Sequence, residues 1–195
     1  MHFVSLLIGQ FLIGVIIGFI INIIFLAFQA AGEIIDMQMG LSVAQALDPV
    51  FGAVISIIGR LTFNVALIIF LVVNGHHMIL SALHQSFTIV PVGALPNLLN
   101  PSITGQVIDL GRMLWLTAFQ LAGPAILMIF LLDFSFGIVS RVAPQVNVFM
   151  LGFQIKPSLG LIAILFTLPF WVKIISKTME TMGGEVIRVL MAIKP

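Results

Sequence analysis

Cysteine is absent from the 195 residues, and charge is scarce: Asp, Glu, Lys and Arg together make up 8%. The first absence excludes a disulfide framework, thiolate chemistry and cysteine-based zinc sites. The second excludes an ordinary soluble fold. Soluble domains carry about 25% charged and about 45–50% apolar residues, whereas 61% of this chain is hydrophobic and its mean hydropathy is +1.25. A soluble domain of this size keeps too large a surface in water to hide that much apolar material. The remaining solvent is membrane lipid, or the apolar flank of a partner. A formal net charge of +1 offers no basic surface to nucleic acid, which is excluded as a partner.

What is present is long apolar sequence. Residues 1–32, 61–108 and 113–132 contain no Asp, Glu, Lys or Arg, and a spanning helix needs about 20 predominantly apolar residues. The opening run is too long for a secretory signal peptide. It lacks a basic leading region and a small-residue cleavage site, so it reads as mature structure. These features predict an all-α integral membrane protein, a single helical membrane domain over residues 1–195 built of long, broken hydrophobic helical hairpins.

Along the chain, the first helix is expected from Phe3 to Gly40. Asp48-Pro49 predicts a break, then a helix over Val50–Val73, a turn at Asn74-Gly75 and a shorter helix over His76–Ile89. Pro91, Gly93, Pro96, Asn97, Asn100 and Pro101 mark an irregular connection. A helix over Ile103–Leu132 is expected to kink at Pro124, followed by a short segment Phe134–Val142. Pro144 to Pro157 reads as a loop, and a last helix begins near Ser158, with a bend at Pro169. Lys173, Lys177, Arg188 and Lys194 outnumber Glu180 and Glu185 in the tail, which predicts a cytoplasmic C-terminus.

The first helix carries the most informative pattern. At 100° per residue, Gly14, Gly18, Asn22, Gln29, Gly32, Glu33, Asp36 and Gly40 fall on one arc about 100° wide. Small residues let helix backbones approach closely. Polar groups on that arc need protein or water rather than lipid. Two readings stand side by side: a contact inside the chain, or a subunit interface or pore wall. A second track comprises Gly52, Ser56, Gly59, Arg60 and Asn64. Arg60 is a charge within an apolar helix, expected to face the bundle interior and to pair with Asp36 or Asp48. Near the C-terminus, Lys173, Lys177, Glu180, Gly184 and Arg188 share one face; Ile175, Met179, Met182, Val186, Val189 and Ile193 share the other. That segment is expected to anchor a helix end at the membrane interface with Trp171, ahead of lying on the membrane or docking on a helix.

Chemistry is thinly represented. His76 and His77 point about 100° apart on a helix and His84 is eight residues beyond His76. No His-Glu-x-x-His pattern accompanies them, so capping near the Asn74-Gly75 turn outweighs metal binding. Glu33 and Asp36 share a face, but without a nearby His or Lys they favour packing or gating over proton work. No phosphate loop, nucleophile elbow or nucleotide fingerprint is present. No catalytic residue, cofactor or metal is predicted. Asp133 and Arg141 bracket an apolar stretch and are expected to pair around a turn at Gly137, the alternative being that each reaches a partner on another helix or subunit.

Several short motifs, in order, carry a family resemblance. They are Gly32-Glu-Ile-Ile-Asp-Met-Gln-Met-Gly40; Asn74, Gly75, His76 and His77; Ser86-Phe87 with Pro91-Val-Gly93; and the block from Asp133 to Arg141 followed by Val142-Ala-Pro144-Gln145-Val-Asn147-Val-Phe149. From about Gly9 to Arg188 the chain resembles the FliR family of flagellar biosynthetic proteins, which includes homologues in virulence type III secretion. The resemblance implies a structural subunit of a protein export gate at the base of the flagellum, in the bacterial inner membrane. It implies FliP-like and FliQ-like subunits and an FlhB-like switch protein as partners, with unfolded polypeptides as transient substrates. It also implies a helical stack of hairpins, much of it lifted above the membrane plane. Family members carry a further N-terminal hydrophobic region before a stretch like Leu6–Gly40, so the chain is expected to be N-terminally short. A small-molecule or ion transporter subunit is the alternative on the residues alone, and an intramembrane enzyme using the histidines is a distant third.

Overall fold

A computed structural model of the chain describes residues 2–41, 56–97 and 100–195. Among them the regular elements are all helices: α1 His2–Met39, α2 Ile57–Val72, α3 Gly75–Ile89, α4 Ser102–Val142 and α5 Val148–Ala192. The fold is all-α, as the composition predicts. The expected break at Asp48-Pro49 and the residue Gly52 lie outside the described residues.

Helix length is the first structural constraint. α1, α4 and α5 contain 38, 41 and 45 residues. At 1.5 Å per residue their contours run to about 57–68 Å, roughly twice the ~30 Å hydrocarbon core of a bilayer. Each is apolar enough to cross, and α2 with α3 makes a fourth candidate span bent by 70°. The chain thus holds three or four spans, with helix to spare outside the hydrocarbon. Only 33%, 17% and 28% of the most apolar windows of α1, α4 and α5 are buried within the chain. Phe11, Phe19, Phe130 and Phe166 are among the large apolar side chains left exposed.

Local chemistry explains where the helices stop. Gly40 adopts φ 78° and its N–H reaches the Met37 carbonyl at 3.2 Å, a left-handed glycine closing α1. Asn74, with φ 57° and ψ 33°, separates α2 from α3. Its carbonyl accepts from His77 N–H at 2.9 Å, starting the next helix at once. Gly75 follows because the Phe70 ring sits 2.3 Å from where a Cβ would stand. At the start of α5, the Asn147 Oδ1 accepts from Met150 N–H at 3.1 Å, which caps the helix in the third position.

Two boundaries differ from expectation. α4 runs unbroken through residues 133–142, with no turn at Gly137. The Ser135 and Ser140 hydroxyls fold back onto the Leu131 and Gly137 carbonyls and interrupt nothing. The expected loop from Pro144 to Pro157 shrinks to residues 143–147, because Asn147 caps a helix that continues past Pro157. Proline removes one ladder donor there without ending the helix, a tolerance common in membrane helices.

The chain divides into two compact units. The first comprises Met1–Ala27, Ala66–Leu116 and Ile175–Pro195; the second, Phe28–Val65 and Thr117–Ile174. In the first, Ile175, Met179, Met182, Val186, Val189 and Ile193 are all buried. The apolar face of the C-terminal segment therefore packs into its own chain rather than lying on a membrane surface. The connection before α4 hooks onto that helix end. Asn97 N–H donates to the Ile193 carbonyl and Asn100 Nδ2 to the Ala192 carbonyl, both at 2.9 Å, satisfying groups the helix leaves open.

In the second unit, Trp171 is fully buried and its Nε1 donates to the Leu121 carbonyl at 2.9 Å. The expected interfacial anchor is instead a core residue, tied to the α4 turn just before Pro124. Gly32 and Gly59 touch: a Cβ on Gly32 would lie 2.5 Å from the Gly59 Cα. We expect Gly32→Ala to lower stability in detergent by about 1–3 kcal/mol through overpacking. Gly18→Ala, which would meet nothing within 4 Å, should leave the melting midpoint unchanged or raise it.

Candidate functional site

The first candidate site lies in the second unit, where α1 meets the start of α2. Ser56 immediately precedes α2 and its carbonyl accepts from Arg60 N–H at 3.1 Å. Its Oγ accepts from Gly59 N–H at 2.7 Å, the standard N-cap arrangement. The Ser56 hydroxyl in turn donates to Asp36 Oδ2. Ile58 N–H is shared between Asp36 Oδ1 and Oδ2 at 3.4 and 3.3 Å. Asp36, only 1% exposed, thus caps α2 from another helix. The positive end of a helix dipole is a favourable place for a carboxylate.

That geometry divides the polar arc of α1. Gly32 and Asp36 are buried in the α1–α2 contact, while Glu33 is exposed and accepts from Gln29 Nε2 at 2.9 Å. The two carboxyl groups therefore do different things and do not form a proton-handling pair. Farther along α1, Gly14, Gly18 and Asn22 are exposed, and a Cβ on either glycine would meet nothing within 4 Å among the described residues. The in-chain reading describes the Gln29–Gly40 half of the arc; the Gly14–Asn22 half is open. Arg60 differs from expectation. It is exposed, and its expected partner Asp36 is occupied by Ser56 and Ile58. Asp48 lies outside the described residues.

The second candidate site is a cavity of about 520 Å³ in the same unit. Its walls include Met37, Gly40, Phe136, Phe149 and Phe153, with the Phe149 and Phe153 rings edge-on at 4.8 Å. Asp133 and Lys156 also line it, as an ion pair at 2.6 Å with side chains 41% and 25% exposed. Asp133 therefore pairs with Lys156 and not with Arg141. On an unbroken helix, eight residues separate Asp133 from Arg141 by about 12 Å. Lys156 escaped the sequence argument although a signal existed. Asp133 and Lys156 lie about a dozen residues either side of Gln145, and helices joined by a short turn pair antiparallel. Pro144, Gln145 and Asn147 belong to that turn.

His76 and His77 occupy the α2–α3 corner in the first unit, and His84 lies farther along α3. The rings of His76 and His77 meet edge-on at 4.2 Å, and His76 meets Phe70 at 6.4 Å. Among the described residues no group of three or more His, Asp or Glu side chains is placed to hold a metal.

Long, apolar, largely unburied helices define a multi-pass helical membrane protein. Comparison with known proteins narrows the class. The family described as bacterial export proteins, family 1, matches residues 1–182. Flagellar biosynthetic protein FliR of Bacillus subtilis (strain 168) is 33% identical over 186 residues, covering 93% of this chain and 72% of that protein. FliR of Escherichia coli (strain K12) is 35% identical over 156 residues, 80% of this chain and 59% of that protein. Yop proteins translocation protein T of Yersinia pestis is 33% identical over 160 residues, 80% and 60% respectively. The chain belongs to the bacterial export protein family that contains FliR. It spans between 59% and 72% of the length of these three relatives.

The ion pair supplies a prediction. Asp133→Lys should place two cations together and lower stability in detergent, by about 1 kcal/mol given the pair's partial exposure. Asp133→Lys with Lys156→Asp should recover most of the loss. Asp133→Arg with Arg141→Asp should not, and recovery there would restore the Arg141 pairing.

Proposed function

We propose that this chain is a structural subunit of a flagellar-type (type III) protein export gate, helping to form the conduit through which unfolded polypeptides leave the cytoplasm. Its partners are FliP-like and FliQ-like subunits and an FlhB-like switch protein. It sits in the bacterial inner membrane at the flagellar basal body, with its C-terminus in the cytoplasm. The observation that carries the reading is the unsatisfied surface of the long helices. Their contours exceed any bilayer, most of their apolar residues are not buried in the chain, and Gly14, Gly18 and Asn22 form an open small-residue track on α1. Apolar helix that extends beyond lipid needs neighbouring subunits to cover it. Membership of the export family supplies the kind of assembly.

No observation favours the transporter alternative. A transporter would suit broken helices with carboxylates at a polar seam, and on the α1 seam Asp36 is engaged as the cap of α2. Asp133, the acidic group at the cavity, is matched by Lys156.

The test combines assembly with export. Deleting the gene should abolish motility or secretion of the exported substrates, and the wild-type chain should restore it. Gly14→Leu with Gly18→Leu should block close helix approach. Because a Cβ on either glycine would meet nothing within 4 Å among the described residues, the variant should keep its melting midpoint in detergent. It should lose co-purification with the FliP-like and FliQ-like subunits and lose export. Wild-type yield of the complex from this variant would remove the α1 track from the interface.

A further inference from the structure

In the second unit the apolar runs of three helices end at the mouth of one cavity. The charge-free run of α1 stops at Glu33 and that of α4 at Asp133; in α5, residues 157–172 carry no charge and follow Lys156. The cavity of about 520 Å³ lies beyond all three points in the same register. Met37 and Gly40 stand four and seven residues past Glu33. Gly137 and Ser140 stand four and seven past Asp133, and Gly152 and Phe149 four and seven before Lys156. Those offsets are about one and two helical turns, or about 6 and 10 Å. On α4 the run 113–132 is about 30 Å long, which matches the hydrocarbon core of a bilayer. Asp133 then marks the edge of the hydrocarbon, and the cavity occupies the next ~10 Å. Lipid headgroups form a layer about 5–8 Å thick at that depth.

The cavity presents one charge of each sign and an apolar body. Lys156 Nζ meets Asp133 Oδ1 at 2.6 Å, with the side chains 25% and 41% exposed. An ammonium group has three donors and a carboxylate two acceptor oxygens. The contact therefore leaves two N–H groups and Oδ2 open, and among the described residues neither side chain has a second polar partner. Phe136, Phe149 and Phe153 supply apolar wall. Gly137 leaves room between wall and pair: a Cβ there would meet nothing within 4 Å among the described residues.

A complementary ligand has an anion for Lys156, a donor cation for Asp133 and an apolar portion for the phenylalanines. A phospholipid whose headgroup joins a phosphate to a primary ammonium has all three, and membrane lipid is the solvent at this depth. Its phosphate can accept from the remaining Lys156 N–H groups while its ammonium donates to Asp133 Oδ2. The four charges then alternate in sign, and the protein's own ion pair need not open. A headgroup with phosphate alone leaves Asp133 unmatched beside an anion, and a quaternary ammonium has no N–H to give. The cavity also falls within the ~300–1,000 Å³ range of small-molecule sites.

We propose that the cavity between the ends of α1, α4 and α5 binds the headgroup of a phosphatidylethanolamine-type lipid, with Lys156 on the phosphate, Asp133 on the ammonium and the phenylalanines against the glycerol and first methylenes. The assignment rests on the membrane-spanning helices and is independent of the export reading.

The test uses the full chain purified in detergent, titrated calorimetrically with short-chain phosphatidylethanolamine, phosphatidylcholine and phosphatidylglycerol of equal chain length. Phosphatidylethanolamine is expected to bind about tenfold tighter than the other two, roughly the worth of one hydrogen bond to a charged group. Asp133→Asn should abolish that preference, with phosphate binding through Lys156 retained. Gly137→Leu, which fills the cavity from an open position, should weaken phosphatidylethanolamine binding at least about tenfold and leave the lipid-free melting midpoint unchanged. Equal affinity for the three headgroups in wild type overturns the proposal, because lipid would then only coat apolar surface. A preference that survives Asp133→Asn, or unweakened binding by Gly137→Leu, places any lipid site elsewhere and overturns it too. Unweakened binding by Gly137→Leu together with lost co-purification of other gate subunits would make the cavity a subunit contact.

Discussion

The capping of α2 by Asp36 is the interaction on which the described α1–α2 contact depends. A helix begins with N–H groups that no residue of its own can satisfy. In an apolar protein with little water to spare, those groups must find an acceptor nearby. Ser56 supplies one for Gly59 and Asp36 supplies another for Ile58. The Ser56 hydroxyl joins the two acceptors into one network. The carboxyl group reaches that position because Gly32 and Gly59 let the two helix backbones touch. Polar satisfaction and close packing here are one arrangement: a larger residue at Gly32 would carry Asp36 away from the amides it serves.

The same economy recurs elsewhere in the chain. Trp171 gives its indole N–H to the Leu121 carbonyl, Asn100 bonds the last turn of α5, and Asn147 caps its first. Polar side chains are few, and each of these three serves a helix end or a neighbouring helix.

Much of the architecture was legible from composition and runs of apolar residues. The extent of α1, the turn at Asn74-Gly75 and the amphipathic character of the C-terminal segment all followed from periodicity and turn chemistry. The errors have specific physical causes. Pro157 reads as part of a loop because proline breaks helices in water, whereas α5 continues past it, a tolerance common in membrane helices. Trp171 read as an interfacial anchor because pattern alone does not reveal that its N–H finds the Leu121 carbonyl. Asp133 was assigned to Arg141 because both lie close in sequence; the hairpin centred near Gln145 brings Lys156 instead. Ser56 carried the signature of an N-cap before an apolar run, but that its hydroxyl would also meet Asp36, 20 residues earlier, depended on tertiary packing.

The most direct measurement of the central claim is a double-mutant cycle between Asp36 and Ser56. Asp36→Ala, Ser56→Ala and the double variant are unfolded in one detergent, and the free energies compared. A shared capping network predicts that the double variant loses less than the sum of the singles, with a coupling of about 1–3 kcal/mol. Strict additivity, or an Asp36→Ala variant as stable as wild type, would contradict the account.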